Sequence, residues 1–136
     1  MFKIIMLVKK RAEFGTEEFL ACWREHSAKV LRYQAALGIR GYTKTLPEAA
    51  DTLRGTQPFA YDAMGELWYD SRDDFLRARN TPEGLAALAE LRADELRFVD
   101  MTQSVMWFGT EERVIRADGK NKKSGHDARF FVFICQ

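Results

Sequence analysis

The chain predicts an α+β fold of the ferredoxin-like kind. Three observations carry this expectation. The 136 residues suit one domain able to bury its own core, and 46% are apolar against 30% charged, so the chain is neither disordered nor membrane-like. Short β-rich runs and two capped amphipathic segments follow one another in the order β-α-β-β-α-β. The third strand alternates with a period of two, leaving small residues on one face where helices can approach, and with that element order it predicts a four-stranded antiparallel sheet with two helices on one face.

The first strand is Phe2 to Val8, with large apolar residues on both faces. Thr16 is the expected N-cap of the first helix, with Glu17 and Glu18 in its first turn, where the helix dipole favours negative charge. That helix runs to about Leu37, and Gly38 is placed to end it in the left-handed conformation. Ile39 to Leu46 is the second strand, followed by a loop over Pro47 to Pro58. Phe59 to Tyr69 is the third strand. Ser71 and Asp74 form a capping pattern, and Thr81 with Pro82 restarts a helix that extends over Glu83 to Phe98. Its leucines at 85, 88, 91 and 96 are set among alanines. Thr102 to Thr110 is the fourth strand.

Period two assigns Tyr61, Ala63, Gly65, Leu67 and Tyr69 to the helix side of the third strand, because the small residues let helices approach. Asp62, Met64, Glu66 and Trp68 then face the open side. Met64 and Trp68 need a cover there, and a second subunit laid sheet against sheet supplies one. The expected assembly is a homodimer through the open sheet face, a dimeric α+β barrel. Residues 1–115 form the domain. Residues 116–136 form a polar linker followed by the strand-like run Phe130 to Cys135 (FFVFIC), which is too apolar to be left in water.

Composition excludes several classes of function. Twenty-one basic against 20 acidic residues give a net charge of +1, with no basic stripe for nucleic acid. No run is long enough to span a bilayer, and the N-terminus has neither the apolar length nor the cleavage site of a signal peptide, so a cytoplasmic location is expected. Cys22 and Cys135 are too far apart in sequence for a zinc motif or a disulfide framework, and no metal site is expected. Nucleotide-binding motifs are missing as well, and no cofactor is expected.

His26 is the main candidate for chemistry. Helical spacing puts it beside Phe19, Trp23 and Val30, at the edge of the apolar stripe and next to Tyr33. Such an imidazole can serve as acid, base or donor to a ligand, or be a core-edge histidine satisfied by a backbone carbonyl or Tyr33. Asp62 and Glu66 share a strand face about 13 Å apart, wide for two carboxylates acting on one bond. They are either a general acid or base, or partners for basic residues across the dimer. Cys22 is one turn from His26 and reads as a thiol–imidazole pair or as a small buried hydrophobe. Trp23, Trp68 and Trp107 are core and interface aromatics or the walls of an apolar pocket.

Three stretches together resemble the EthD family of dimeric α+β barrel proteins: EEFLACWREHSAKVL, YDAMGELWYDSRDDF and FVDMTQSVMWFGTEE. The resemblance covers about residues 1–115. It implies a small enzyme working without metal or organic cofactor on an apolar cyclic compound, such as a lactone, a phenol or a polyketide-like aromatic. In layout the chain is most similar to the family's methylmuconolactone methylisomerases, whose helix histidine corresponds to His26 and whose strand cysteine falls on Leu67. The expected reaction is proton transfer, as isomerisation or elimination, with His26, Asp62 and Glu66 as catalytic candidates. Trp23, Tyr33, Leu67 and Trp68 are the expected substrate-binding residues. Since Asp62 and Glu66 fall on the sheet face opposite the first helix, one site can use them with His26 only if it reaches around an edge. Two further functions fit the resemblance: a non-catalytic hydrophobic-ligand-binding dimer accessory to an oxygenase, and a haem-binding protein or cofactor-free oxygenase.

Overall fold

The structure, a computed structural model, describes residues 1–48 and 58–117. The middle of the Pro47–Pro58 loop and the tail from residue 118, including the Phe130–Cys135 run, lie outside the described residues. The elements are β1 (Phe2–Val8), α1 (Thr16–Arg32), α2 (Gln34–Leu37), β2 (Gly41–Thr45), β3 (Ala63–Tyr69), α3 (Arg72–Ala78), α4 (Pro82–Phe98) and β4 (Val105–Thr110). The four strands form one antiparallel sheet in the order β2-β3-β1-β4, which is the ferredoxin-like arrangement.

β1 is the centre of the sheet, and Ile4 pairs with Leu67 on one side and Phe108 on the other. Phe2, Ile4, Met6 and Val8 therefore share the helix-facing side with Leu67, Tyr69 and Tyr42. Lys3, Ile5, Glu66, Trp68 and Trp107 share the open side. The face assignment expected for β3 is the one observed. α1 and α4 lie over the first face, and the side chains between them gather into two apolar clusters. One centres on Ile4, Leu37, Tyr69, Phe75 and Leu91, the other on Val8, Phe19, Trp23, Ala63 and Phe98.

Several boundaries differ from expectation, each for a local reason. Thr16 is the first helical residue and Gly15 the N-cap, with its N–H donated to the Glu18 carboxylate at 3.4 Å. The first helix is interrupted at Tyr33, whose N–H is shared between the Lys29 and Val30 carbonyls as φ moves to −99° and ψ to 10°. Gly38 does end α2 at φ 68°, and the Ile39 N–H reaches back to the Gln34 carbonyl. This closure draws Ile39 into the core, so β2 begins only at Gly41.

β3 begins at Ala63 rather than Phe59. The Asp62 N–H bonds the Val8 carbonyl at 2.8 Å, and the Asp62 carboxylate then takes the Lys10 N–H at 2.8 Å. A side chain thus occupies the place of the next ladder hydrogen bond. The leucines of α4 also divide unexpectedly. Leu85 and Leu96 are exposed, while Gly84, Ala87, Leu91, Asp94 and Phe98 form the buried face.

The start of α4 has a sharp steric requirement. Thr81 caps it, accepting the Gly84 N–H at 3.0 Å, and the last carbonyl of α3 lies across its first turn. A Cβ built on Gly84 would stand 1.7 Å from the Ala78 oxygen. Gly84→Ala is accordingly expected to destabilise the protein by about 3 kcal/mol, through displacement of α3 from α4. Gly15→Ala, where the nearest atom to an added Cβ is a flexible Glu18 oxygen at 3.6 Å, is expected to cost far less. Denaturant midpoints of the two variants check this, and equal midpoints would contradict it.

Candidate functional site

A cavity of about 240 Å³ lies between the sheet and the helices. β1 supplies its floor through Ile4, Met6 and Val8, and β3 adds Leu67 and Tyr69. Trp23, His26 and Val30 of α1, Tyr42 of β2 and Leu88, Leu91 and Phe98 of α4 complete most of its walls. The lining extends to Val105, Met106 and Phe108 at the β4 edge of the sheet. Met106 and Phe108 on β4 face the helix side yet stay more than half exposed.

His26 is a buried polar group in this wall, with 5% exposure. Its Nδ1 lies 2.8 Å from Asp94 Oδ2, and its ring meets the edge of Phe98. Asp94 is equally enclosed, and its second oxygen accepts from Lys29 Nζ at 3.1 Å and Arg97 Nε at 3.2 Å. Burial by itself would raise the Asp94 carboxyl. The hydrogen bonds from His26 and Lys29 and the charge of Arg97 outweigh it and hold the group below the usual carboxylate range. A carboxylate fixed in this way keeps the proton of His26 on Nδ1 and leaves Nε2 to the cavity side. Nε2 lies 3.6 Å from Glu95 Oε1, too far for a hydrogen bond.

Tyr42 is a second polar group of the wall. Its hydroxyl accepts from Trp23 Nε1 at 2.9 Å and lies 3.3 Å from Ser27 Oγ. Burial raises its phenol above the ordinary tyrosine value, so it stays a neutral donor or acceptor. Cys22 is buried, and its sulfur accepts from Arg97 Nη1 at 3.1 Å.

The residues expected from sequence fall into two groups. His26, Trp23 and Leu67 come together around the cavity. Asp62, Glu66, Trp68 and Tyr33 lie outside its lining. Glu66 lies on the opposite face of the sheet, bonded to Lys3 Nζ at 2.6 Å. Asp62 closes the end of the β1–β3 ladder. Trp68 lies over Gly41 on the open side with Lys3 above its ring, and its indole N–H is enclosed without a partner among the described residues. Tyr33 points away from the cavity lining to the Glu90 carboxylate on α4.

Asp94, Glu95 and Tyr42 are the site residues that sequence reasoning missed. Asp94 left a readable signal: with Gly84, Ala87, Leu91 and Phe98 it falls on one helical face, so it is a charge inside an apolar stripe. Glu95 and Tyr42 left none, because a glutamate on a helix and a tyrosine on an edge strand are ordinary surface residues. Among the described residues, no group of three His, Cys, Asp or Glu side chains is arranged to hold a metal ion, and no helix is long and apolar enough to cross a membrane.

A ferredoxin-like layer with an apolar cavity between helices and sheet, and a histidine in its wall, defines a class of small α+β proteins. Within that class the chain belongs to the EthD family, whose EthD domain profile matches residues 11–102. Solved structures agree on the fold. An EthD-family protein from Bacillus halodurans superposes with a TM-score of 0.58 at 19% identity, covering 82% of this chain and 99% of that one. A dimeric ferredoxin-like protein from Bacteroides fragilis gives 0.53 at 17%, covering 79% and 93%. HapK from Hahella chejuensis gives 0.54 at 12%, covering 93% and 98%. No curated protein matches the sequence significantly.

The lowered folded-state value of Asp94 sets the sign of a pH effect. The native state prefers the ionised form, so the contribution is fully present above the unfolded carboxylate value and is lost as pH falls through the folded one. Asp94→Asn is expected to lower stability by about 2 kcal/mol at neutral pH, because His26, Lys29 and Arg97 lose their carboxylate. That difference is expected to shrink towards zero as the solution is acidified below the carboxylate range. Urea titrations across pH check it, and a pH-independent difference would assign the effect to packing.

Proposed function

We propose that this chain is a cofactor-independent homodimeric enzyme that moves a proton on an apolar cyclic compound, a lactone, phenol or polyketide-like ring, by isomerisation or elimination. The observation that carries this reading is the Asp94–His26 pair in the wall of an apolar cavity. Asp94 orients the imidazole and compensates a positive charge on it, so Nε2 is the atom that would take a proton from bound substrate or return one. Glu95, 3.6 Å from Nε2, is the second polar group in the position for which Asp62 and Glu66 were candidates. Trp23, Leu67 and Leu91 would hold the ring by apolar contact, and the Tyr42 hydroxyl would meet a substrate oxygen.

The family membership and the dimeric Bacteroides fragilis neighbour support a second subunit over the open sheet face. That face carries Ile5, Trp68 and the half-exposed Trp107, a surface that favours burial. Trp107→Asp is expected to convert a dimer to a monomer in analytical ultracentrifugation. An unchanged dimer would place the interface elsewhere.

The catalytic reading is tested with lactones, phenols and polyketide-like aromatics on wild type and His26→Gln. A ligand present at a hundred times its dissociation constant is expected to stabilise wild type by about 2.7 kcal/mol. Ring protons of a bound ligand are expected to exchange with deuterated solvent, and His26→Gln is expected to slow that exchange at least about a hundredfold. Binding that is equally strong in both proteins, with no exchange in either, would leave a ligand carrier and remove the enzyme.

A further inference from the structure

The sheet has two edges, and they are built differently. β2, at one edge, carries Thr43, Lys44 and Thr45, polar residues of the kind that discourage further pairing. β4, at the other, reads VMWFGT and carries no charge. It pairs with β1 alone among the described residues. Val105 and Trp107 are exposed on its open side, and Met106 and Phe108 are exposed on its helix side. Both faces of this edge strand therefore lack cover among the described residues.

The register shows which backbone groups stand at that edge. Met1 and Glu111 exchange hydrogen bonds, with the Glu111 N–H 2.8 Å from the Met1 carbonyl. Alternation along the antiparallel pair then turns the N–H groups of Val105, Trp107 and Gly109 towards β1. Those of Met106, Phe108 and Thr110 point to the free edge. A row of donors and acceptors between exposed apolar side chains is a template for one more strand.

The chain supplies a segment of matching kind. Phe130–Cys135 (FFVFIC) is apolar at each position and equals the 6 residues of β4 in length. Period two puts Phe130, Val132 and Ile134 on one face and Phe131, Phe133 and Cys135 on the other. A segment apolar on both faces suits a place covered from both sides, and the β4 edge is such a place. Its helix side borders the cavity, and its open side continues the surface assigned to a second subunit. The connection over 111–129 starts at the end of β4 and is largely polar. It is long enough to turn back along a strand of about 20 Å. Strands that follow one another in sequence are the usual neighbours in a sheet.

We propose that Phe130–Cys135 docks as a fifth, antiparallel strand on the β4 edge of its own subunit. It bonds the edge groups of Met106, Phe108 and Thr110 and completes the cavity wall over the Met106 and Phe108 side chains. This docking is independent of the proton transfer proposed above.

The test is amide hydrogen exchange by nuclear magnetic resonance on the full chain, wild type beside the double variant Val132→Pro/Phe133→Pro. Of two consecutive residues in a strand, one turns its N–H towards β4, so the pair of prolines breaks the ladder in any register. Wild type is expected to protect the Met106, Phe108 and Thr110 amides at least about tenfold relative to the proline variant. The Ile5 amide, on the central strand, is expected to exchange equally slowly in both and so reports an intact domain. Unprotected edge amides in wild type overturn the docking. Protection that survives the two prolines overturns it as well, and assigns the edge to another cover. Isotope-labelled proline variant is then refolded with an excess of unlabelled wild type. Its edge amides are expected to stay unprotected. Protection restored in that mixture shows a tail crossing from the partner subunit and overturns docking within one chain.

Discussion

A carboxylate buried between two helices is tolerated only when both oxygens are hydrogen-bonded and its charge is met. Asp94 satisfies both conditions by drawing on three side chains, His26 and Lys29 from α1 and Arg97 from its own helix. The bonds from His26 and Lys29 fix α1 against α4 with more specificity than apolar packing alone, since a slip of one residue would separate both of those donors from their acceptor. The orientation of the imidazole, the side of the cavity that Nε2 faces and the distance to Glu95 all follow from that one group. A structural requirement and a chemical opportunity coincide in the same contact.

The two faces of the sheet do different work for the same geometric reason. Alternation sends Leu67 and Tyr69 to the helices, where they floor the cavity, and sends Glu66 and Trp68 to the other side. The helix side holds the histidine and the phenol. The open side holds the Lys3–Glu66 pair amid an apolar surface suited to a second subunit. His26 and Glu66 thus lie on opposite faces of the sheet. The second carboxylate of the proposed site comes from α4, one residue beyond Asp94.

The order of the elements, the left-handed stop at Gly38, the Ser71 and Thr81 caps and the faces of β3 were all legible, because each depends on residues within a turn or a period of one another. His26 was legible as a candidate because a histidine on an apolar helical stripe stands out. The break at Tyr33 was not, because the hydrogen-bond shift that ends α1 has no local sequence marker. The late start of β3 was equally hidden, since Asp62 replaces a ladder bond by contacting Lys10 across 52 positions. The leucine repeat of α4 misdirected attention from its buried face, which is built from smaller residues and one carboxylate.

By itself, then, the sequence determined the class of fold, the division of the sheet into two faces and the imidazole at the helix edge. These are short-range properties set by backbone periodicity and capping chemistry. Only the tertiary structure decided which carboxylate meets that imidazole, because Asp94 is 68 positions away and nothing local distinguishes it from Asp62 or Glu66 as a partner. It also decided that Met106 and Phe108 share a cavity with His26. Packing of α1 and α4 onto one face of the sheet brings together side chains that helical and strand periods, taken element by element, leave unrelated.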